Sequence, residues 1–285
     1  MQDRFVPRRR PCPRRRPNSP HTTDPLCQAV EAAWKSGIVV VCAAGNSGRL
    51  QSTAASSVDN EGYGTAYGSI QVPGIDPYVI TVGAMKNTDV VFAANGAYTY
   101  IRNNDKIATY SSRGPSRVDL VLKPDIVSPG NQVISTTRTN SYPYNYADGT
   151  NQIPWHVILL GGLPLPPGLS SDIIYFRLSG TSMASPVVAG AAALMLKRDP
   201  TLTPDTVKAR LMIAADKWTQ PDGTGNPLTY GAGYLDIPAA IACTAVARQS
   251  ALSPTLNVDA DGNVTINMDG AVWGTDVNGL RAVWG

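Results

Sequence analysis

Ser179-Gly180-Thr181-Ser182-Met183-Ala184-Ser185-Pro186 runs directly into the apolar stretch Val187 to Leu196 and places a serine at the mouth of a helix. Pro186 falls in the first turn, where a missing backbone N–H costs little. Val187, Val188, Ala189, Ala191, Ala192, Ala193, Leu194, Met195 and Leu196 leave the helix no polar face, which predicts a position at the centre of the core. A serine hydroxyl is a weak nucleophile. It needs a base within hydrogen-bond reach, and the base needs a third group to hold it. The segment therefore makes a demand on the rest of the chain.

Working outward, the grammar is that of an α/β protein. Asp24 and Pro25 have the N-cap and first-turn roles of a helix whose stripe is Leu26, Ala29, Val30, Ala33 and Trp34, closed by Gly37. Ile38 to Ala44 follows as a strand apolar on both faces, the pattern of a parallel strand covered by helices, and ends in Gly45-Asn46-Ser47-Gly48. Val79 to Gly83 and Asp125 to Val127 read as further strands of one sheet, and Thr203-Pro204-Asp205 opens another helix, with Val207 and Leu211 facing inward. Residues 138–176 have no strong period and read as an inserted surface excursion. Val264 to Met268 alternates after the turn signal Asp261-Gly262, which predicts a β-ribbon over 254–270. Val272-Trp273-Gly274 recurs as Val283-Trp284-Gly285. Asp259, Asp261 and Asn263 depart from calcium-loop spacing and read as part of the turn. The expected organisation is a disordered Arg/Pro-rich tail over 1–23, a domain over 24–249 and an extension over 250–285.

Charge is concentrated at one end. Of 24 basic residues, seven arginines lie within the first 20 positions, which also hold five prolines, so the remainder of the chain is mildly acidic. That tail has too little apolar surface to fold and no apolar stretch of a secretory signal. A basic run without a folded reader is weak support for nucleic-acid binding. Four cysteines, Cys12, Cys27, Cys42 and Cys243, have no metal spacing, and Cys27 and Cys42 read as small core residues. No apolar run is long enough to span a membrane as a helix.

Acyl transfer also needs donors aimed at the developing oxyanion, and a helix N-terminus favours the negative charge. Asn46, at the end of a buried strand between glycines, is the candidate donor. At this point LSGTSMASPVVAGAAALML resembles the nucleophile segment of the subtilisin-like serine proteases, and VVVCAAGNSG resembles their oxyanion-asparagine segment. YSSRGP at 110–115, KPDIVSPG at 123–130 and GAGYLDIPAAI at 231–241 are similar to further segments of that family, in the same order.

The resemblance, over roughly Asp24 to Ala247, implies a three-layer sandwich on a mostly parallel central sheet, with a small C-terminal β-ribbon appended. It implies Ser182 as nucleophile, Asn46 as oxyanion-hole side chain, the Ser182 N–H as second donor, and Ala43, Ala44 and Gly45 as one wall of the substrate pocket. It also implies an extracellular enzyme acting on protein or peptide substrates, often with structural calcium. No cofactor or metal ligand is assignable from the sequence. Subtilases place an aspartate and then a histidine in an H-G-T-H-like segment upstream of the asparagine, and the 45 residues before Asn46 contain neither motif. His21 and His156 are the chain's two histidines, and neither stands in such a segment. The expectation is a fragment of a subtilisin-like endopeptidase, inactive alone, whose partner is the N-terminal part of the fold. The alternatives are a non-catalytic peptide-binding module and a surface adhesion protein.

Overall fold

The computed structural model describes residues 19–55, 59–87, 90–92, 98–100, 105–138, 151–159, 167–168, 172–217, 226–258 and 264–267. The arginine arm up to residue 18, Asp259 to Asn263 and both VWG tripeptides lie outside them.

Helix α1 (Pro25–Lys35) starts as its sequence dictates, with the Asp24 carboxylate accepting from the Leu26 and Cys27 N–H groups. Its inward face is set by Cys27 and Trp34, both buried, whereas Leu26 is 50% exposed. Trp34 is thus buried as the stripe predicts, whereas Leu26 gives way to Cys27, which packs on Ala44, Ile70 and Ile75. The chain is already structured before Asp24, since Thr23 and Asp24 donate their N–H groups to the Pro20 carbonyl.

Strand β1 (Val41–Ala43) pairs in parallel with β2 (Ile80–Lys86), and β2 pairs in parallel with β6 (Ile126–Pro129). Between them lie β3 (Val90–Phe92) and β4 (Tyr98–Tyr100), which form a hairpin, and β5 (Lys106–Ile107), which adds antiparallel to the end of β2. Tyr234 extends the sheet beyond Val127 and is itself bridged to Asp216. Ile80, Val82 and Ala84 face helix α3 (Thr181–Arg198) and helix α4 (Pro204–Ile213), whose Ala184, Val188, Met195, Val207 and Leu211 complete the main core. Met85 and Val127 pack from the other face against Tyr230 and Tyr234, beside the short helix α5 (Pro227–Tyr230). Helix α6 (Ile237–Ala242) closes the helical layer. This is an α/β layered fold on a mostly parallel sheet.

The segment that sequence periodicity left featureless contains structure. Strand β7 (Val133–Thr136), β8 (Gln152–Pro154) and β9 (Ile173–Leu178) make an antiparallel sheet in the order β7-β9-β8, with helix α2 (Trp155–Leu159) following β8. The predicted C-terminal ribbon is the antiparallel pair β10 (Thr255–Val258) and β11 (Val264–Asn267). Its start is bound to the body: Leu122 donates to the Pro254 carbonyl at 2.8 Å and Ser253 to that of Pro77 at 2.9 Å.

Two surfaces depart from the expected coverage. Helix α3 buries Ala184, Val188, Ala191, Ala192 and Met195, but Ala189, Gly190, Ala193 and Leu194 are exposed, Leu194 by 50%. Strand β1 is three residues long, and Ile38 before it is 57% exposed. Val40 and Ala44 bond toward β2, so Val39, Val41 and Ala43 turn their backbone groups to the opposite edge. No strand among the described residues pairs there.

Beneath the sheet lies a fully buried ionic group. Lys123 Nζ is 2.6 Å from Asp125 Oδ2, and Lys208 Nζ donates to the Pro77 and Tyr78 carbonyls and to Ser253 Oγ at 2.7, 3.0 and 3.0 Å. Asp125 also accepts from the Thr81 N–H at 2.7 Å and from Ser253 Oγ at 2.5 Å. Burial lowers the Lys208 ammonium to about 7, and Asp125 opposes that shift. The unfolded chain holds this proton up to the ordinary lysine range, so this group makes stability rise with pH between about 7 and 10. Replacing Asp125 with alanine, which leaves the buried Lys123 ammonium without its ion partner, is expected to cost about 3–5 kcal/mol in urea denaturation. Lys208→Met is expected to flatten the rise in melting temperature above neutral pH, measured by calorimetry across that range.

Candidate active site

Ser182 is the second residue of α3, and its side chain is exposed. Gly180 precedes the helix as a cap without a side chain, so the first N–H groups of α3 need other acceptors. Asn46 provides one. Its Oδ1 accepts from the Thr181 N–H at 3.0 Å and from Thr181 Oγ1 at 3.1 Å, while Thr181 Oγ1 accepts from the Gly45 N–H at 3.1 Å. Both hydrogen bonds to Oδ1 fix the amide, which turns Nδ2 toward the space above Gly180. A Cβ on Gly180 would lie 3.3 Å from that nitrogen. Glycine keeps the donor open.

Neither Ser182 Oγ nor the Ser182 N–H has a hydrogen-bond partner among the described residues. Asn46 Nδ2 and the Ser182 N–H are thus two unspent donors beside one hydroxyl. They lie at the positive end of an 18-residue helix, the arrangement that stabilises an oxyanion.

The other segments singled out in the sequence hold this turn in place. Gly180 N–H donates to the Gly130 carbonyl at 2.8 Å, and Tyr110 Oη donates to the same oxygen at 3.0 Å. Burial pushes the Tyr110 hydroxyl up to about 12, which keeps it a donor. A Cβ on Gly130 would come 2.7 Å from that of Ala84 and 2.9 Å from the Gly180 carbonyl, so only glycine lets β6 approach the nucleophile turn this closely. Ser112 Oγ accepts from the Ser47 N–H at 3.0 Å, and the buried Arg113 donates to the Gly48 carbonyl at 3.0 Å and to Asn60 Oδ1 at 2.9 Å. The role of Thr181 was visible only as one letter of a matched segment, and Tyr110 and Gly130 likewise.

The three predicted wall residues divide. Gly45 is at the turn, with a φ of +105°. Ala44 is fully buried and points its methyl into the cluster with Cys27 and Ile75, so its backbone alone can border a cleft. Ala43 is half-buried, and its carbonyl lies 3.0 Å from where a Cβ on Gly74 would be. The histidines are elsewhere engaged. His21 Nδ1 lies 3.1 Å from Asp119 Oδ2, and His156, on α2, stacks edge-on against Trp155. Neither is hydrogen-bonded to Ser182 among the described residues. Cys27 and Cys42 are buried free thiols pushed up to about 12 by burial, as expected of core residues. Among the described residues, no three His, Cys, Asp or Glu side chains come together as metal ligands.

The geometry thus brings together an exposed serine at a helix start and a side-chain amide fixed at the end of a strand of the α/β sheet. The subtilase family model matches residues 14–233, and the chain belongs to that family. It is 40% identical over 213 residues to the serine protease AprX of Bacillus subtilis, covering 75% of this chain and 37% of that protein. It is 32% identical over 221 residues to subtilisin DY of Bacillus licheniformis, covering 78% of this chain and 53% of that one. Fervidolysin of Fervidobacterium pennivorans, a keratinolytic enzyme related to subtilisin, superposes over 83% of this chain and 27% of its own with a TM-score of 0.49 at 22% identity. The chain spans about a third to a half of the length of the two curated relatives.

Thr181→Val removes one bond to Asn46 and leaves the buried Gly45 N–H without its acceptor. We expect a loss of about 1–3 kcal/mol, measured by chemical denaturation, together with a shifted Asn46 side-chain amide signal in 1H–15N spectra.

Proposed function

We propose that this chain carries the nucleophile and oxyanion half of a subtilisin-like serine endopeptidase. The single observation that supports it best is the Asn46 amide, whose oxygen is bound twice by Thr181 so that its nitrogen is left free beside Ser182. In this reading Ser182 Oγ attacks a peptide carbonyl, Asn46 Nδ2 and the Ser182 N–H receive the oxyanion, and the amine leaves to give an acyl-enzyme that water hydrolyses. The proton of Ser182 must go to a base.

The base and its aspartate belong, in this proposal, to a segment outside these 285 residues, the N-terminal part of the same fold. Two surfaces support this. The unpaired edge of β1 offers the backbone groups of Val39, Val41 and Ala43, and α3 offers the exposed face of Ala189, Gly190, Ala193 and Leu194. A strand and a covering helix would bury both and bring a base over Ser182. The substrates are proteins or peptides, and the setting is extracellular, as family membership suggests.

Removing the histidine of a serine triad costs on the order of 10⁶ in turnover, a magnitude known from subtilisin, and leaves ~10³ to 10⁴ over water. A fluorophosphonate probe is therefore expected to label the isolated chain at Ser182 at least ~10³-fold more slowly than it labels an intact subtilase, with Ser182→Ala as blank. Labelling at the intact rate would refute the assignment of the base to another segment. Restoring the upstream part in trans is expected to raise the rate, whereas peptide binding without any gain would favour a non-catalytic peptide-binding module. Leu194→Glu is expected to reduce self-association of the isolated chain in light scattering while changing its stability by no more than ~0.5 kcal/mol.

A further inference from the structure

On the face of the sheet away from α3, where Ile107 and Tyr230 pack with Met85, lies an open cavity of about 280 Å³. It is lined by the loop 59–67, residues 105–109, Arg113 and the start of α5, and it shares no residue with the nucleophile turn or with Ala44-Gly45-Asn46. Two charged side chains of its lining are buried, Arg113 at 4% exposure and Asp105 at 1%. The Arg113 guanidinium donates to the Gly48 carbonyl at 3.0 Å and to Asn60 Oδ1 at 2.9 Å, and it has no carboxylate within ion-pair reach among the described residues. Burial lowers its pKa from the ordinary arginine value, the mark of a cation taken out of water. Asn60 is itself locked, its Nδ2 donating to the Gly64 and Thr109 carbonyls at 3.0 and 3.1 Å, so the guanidinium is held in one place. Tyr67 Oη accepts from Asn226 Nδ2 at 2.9 Å, and its own proton has no acceptor among the described residues.

We infer that this cavity is a binding site for a free α-amino acid in its zwitterionic form, with Arg113 and the Tyr67 hydroxyl taking the carboxylate and Asp105 the ammonium. A guanidinium has five N–H donors in a planar fork that matches a carboxylate. The two hydrogen bonds of Arg113 to Gly48 and Asn60 leave donors of that fork over. A buried cation and a buried anion in one small cavity select a ligand that carries both charges close together, and an α-amino acid has them on a single carbon. The volume lies at the small end of small-molecule sites, which run to roughly 300–1,000 Å³, and suits one amino acid better than a peptide chain. A phosphate or another dianion would meet Asp59, Glu61 and Asp105 in the same lining, and like charges so close are unfavourable. The site is separate from the function proposed above, since it needs neither a base nor turnover.

Uniformly 15N-labelled full chain is titrated with L-alanine and L-leucine, and with the N-acetyl derivative and the amide of each, which lack the ammonium and the carboxylate respectively. The expected result is saturable binding of at least one free amino acid, with the largest movements in 1H–15N spectra at Tyr67, Lys106 and Tyr230. Both of its blocked derivatives are expected to bind at least about ten-fold more weakly, the size of one lost charge-assisted contact. Tyr67→Phe removes a single hydroxyl from a ring that is 50% exposed, so the fold is kept and binding is expected to weaken about three- to ten-fold. Arg113→Lys keeps the charge and loses the fork, and is expected to abolish binding; where that variant does not fold, Tyr67→Phe carries the test. The site is overturned if neither amino acid saturates, if a blocked derivative binds as tightly as its free amino acid, if the movements fall away from these residues, or if Tyr67→Phe binds as the parent chain does. None of these outcomes bears on Ser182 and Asn46.

Discussion

The structure of this site depends on one side-chain amide bridging two segments 135 residues apart. Asn46 Oδ1 takes the N–H and hydroxyl of Thr181, which satisfies an otherwise orphaned donor at the start of α3. The same contact sets the direction of the nitrogen. Thr181 in turn caps the Gly45 N–H, so strand end and helix start are locked reciprocally and neither can move without leaving a buried polar group unpaired. Oxyanion stabilisation requires donors that are in position before charge appears. Here the direction of Asn46 Nδ2 is fixed by the two hydrogen bonds on the amide oxygen.

Close backbone approach gives that lock its foundation. Gly130 brings β6 against Ala84 and the Gly180 carbonyl, and Tyr110 ties the same carbonyl of Gly130 from the side. Below, Lys123, Asp125, Lys208 and Ser253 join the sheet, α4 and the start of the C-terminal extension through a dry ionic group. Ser253 therefore makes the beginning of that extension part of the body. The site end of the sheet is held by glycines and short hydrogen bonds, and the opposite end by buried charge.

A contrast runs across α3. Its inward face packs Val188, Ala191 and Met195 into the core, while Gly190 and Leu194 face away with nothing described above them. A helix apolar all round is stable in water only when both faces are covered. The inward face of α3 lies across β1, β2 and β6, and the outer edge of β1 pairs with no strand among the described residues. Both surfaces bear on the proposal that the base over Ser182 comes from a further portion of the domain.

Much of this was legible in the chain itself. The helix starts at Asp24 and Thr203 follow local rules of capping, the strand expected from Ile38 begins only at Val41, and Ser182 and Asn46 stood out because acyl-transfer chemistry restricts which residues and turns can carry it. Local rules could not show which face of α3 is covered, because apolar composition records what a helix needs and not what surrounds it. They missed the β7-β9-β8 sheet, whose strands pair antiparallel across a long intervening segment with no shared period. The sequence by itself determined the family and singled out Ser182 and Asn46, because their segments are local. Only the tertiary structure decided how Thr181 holds the Asn46 amide and which surfaces are bare among the described residues, because these depend on distances between residues far apart in the chain.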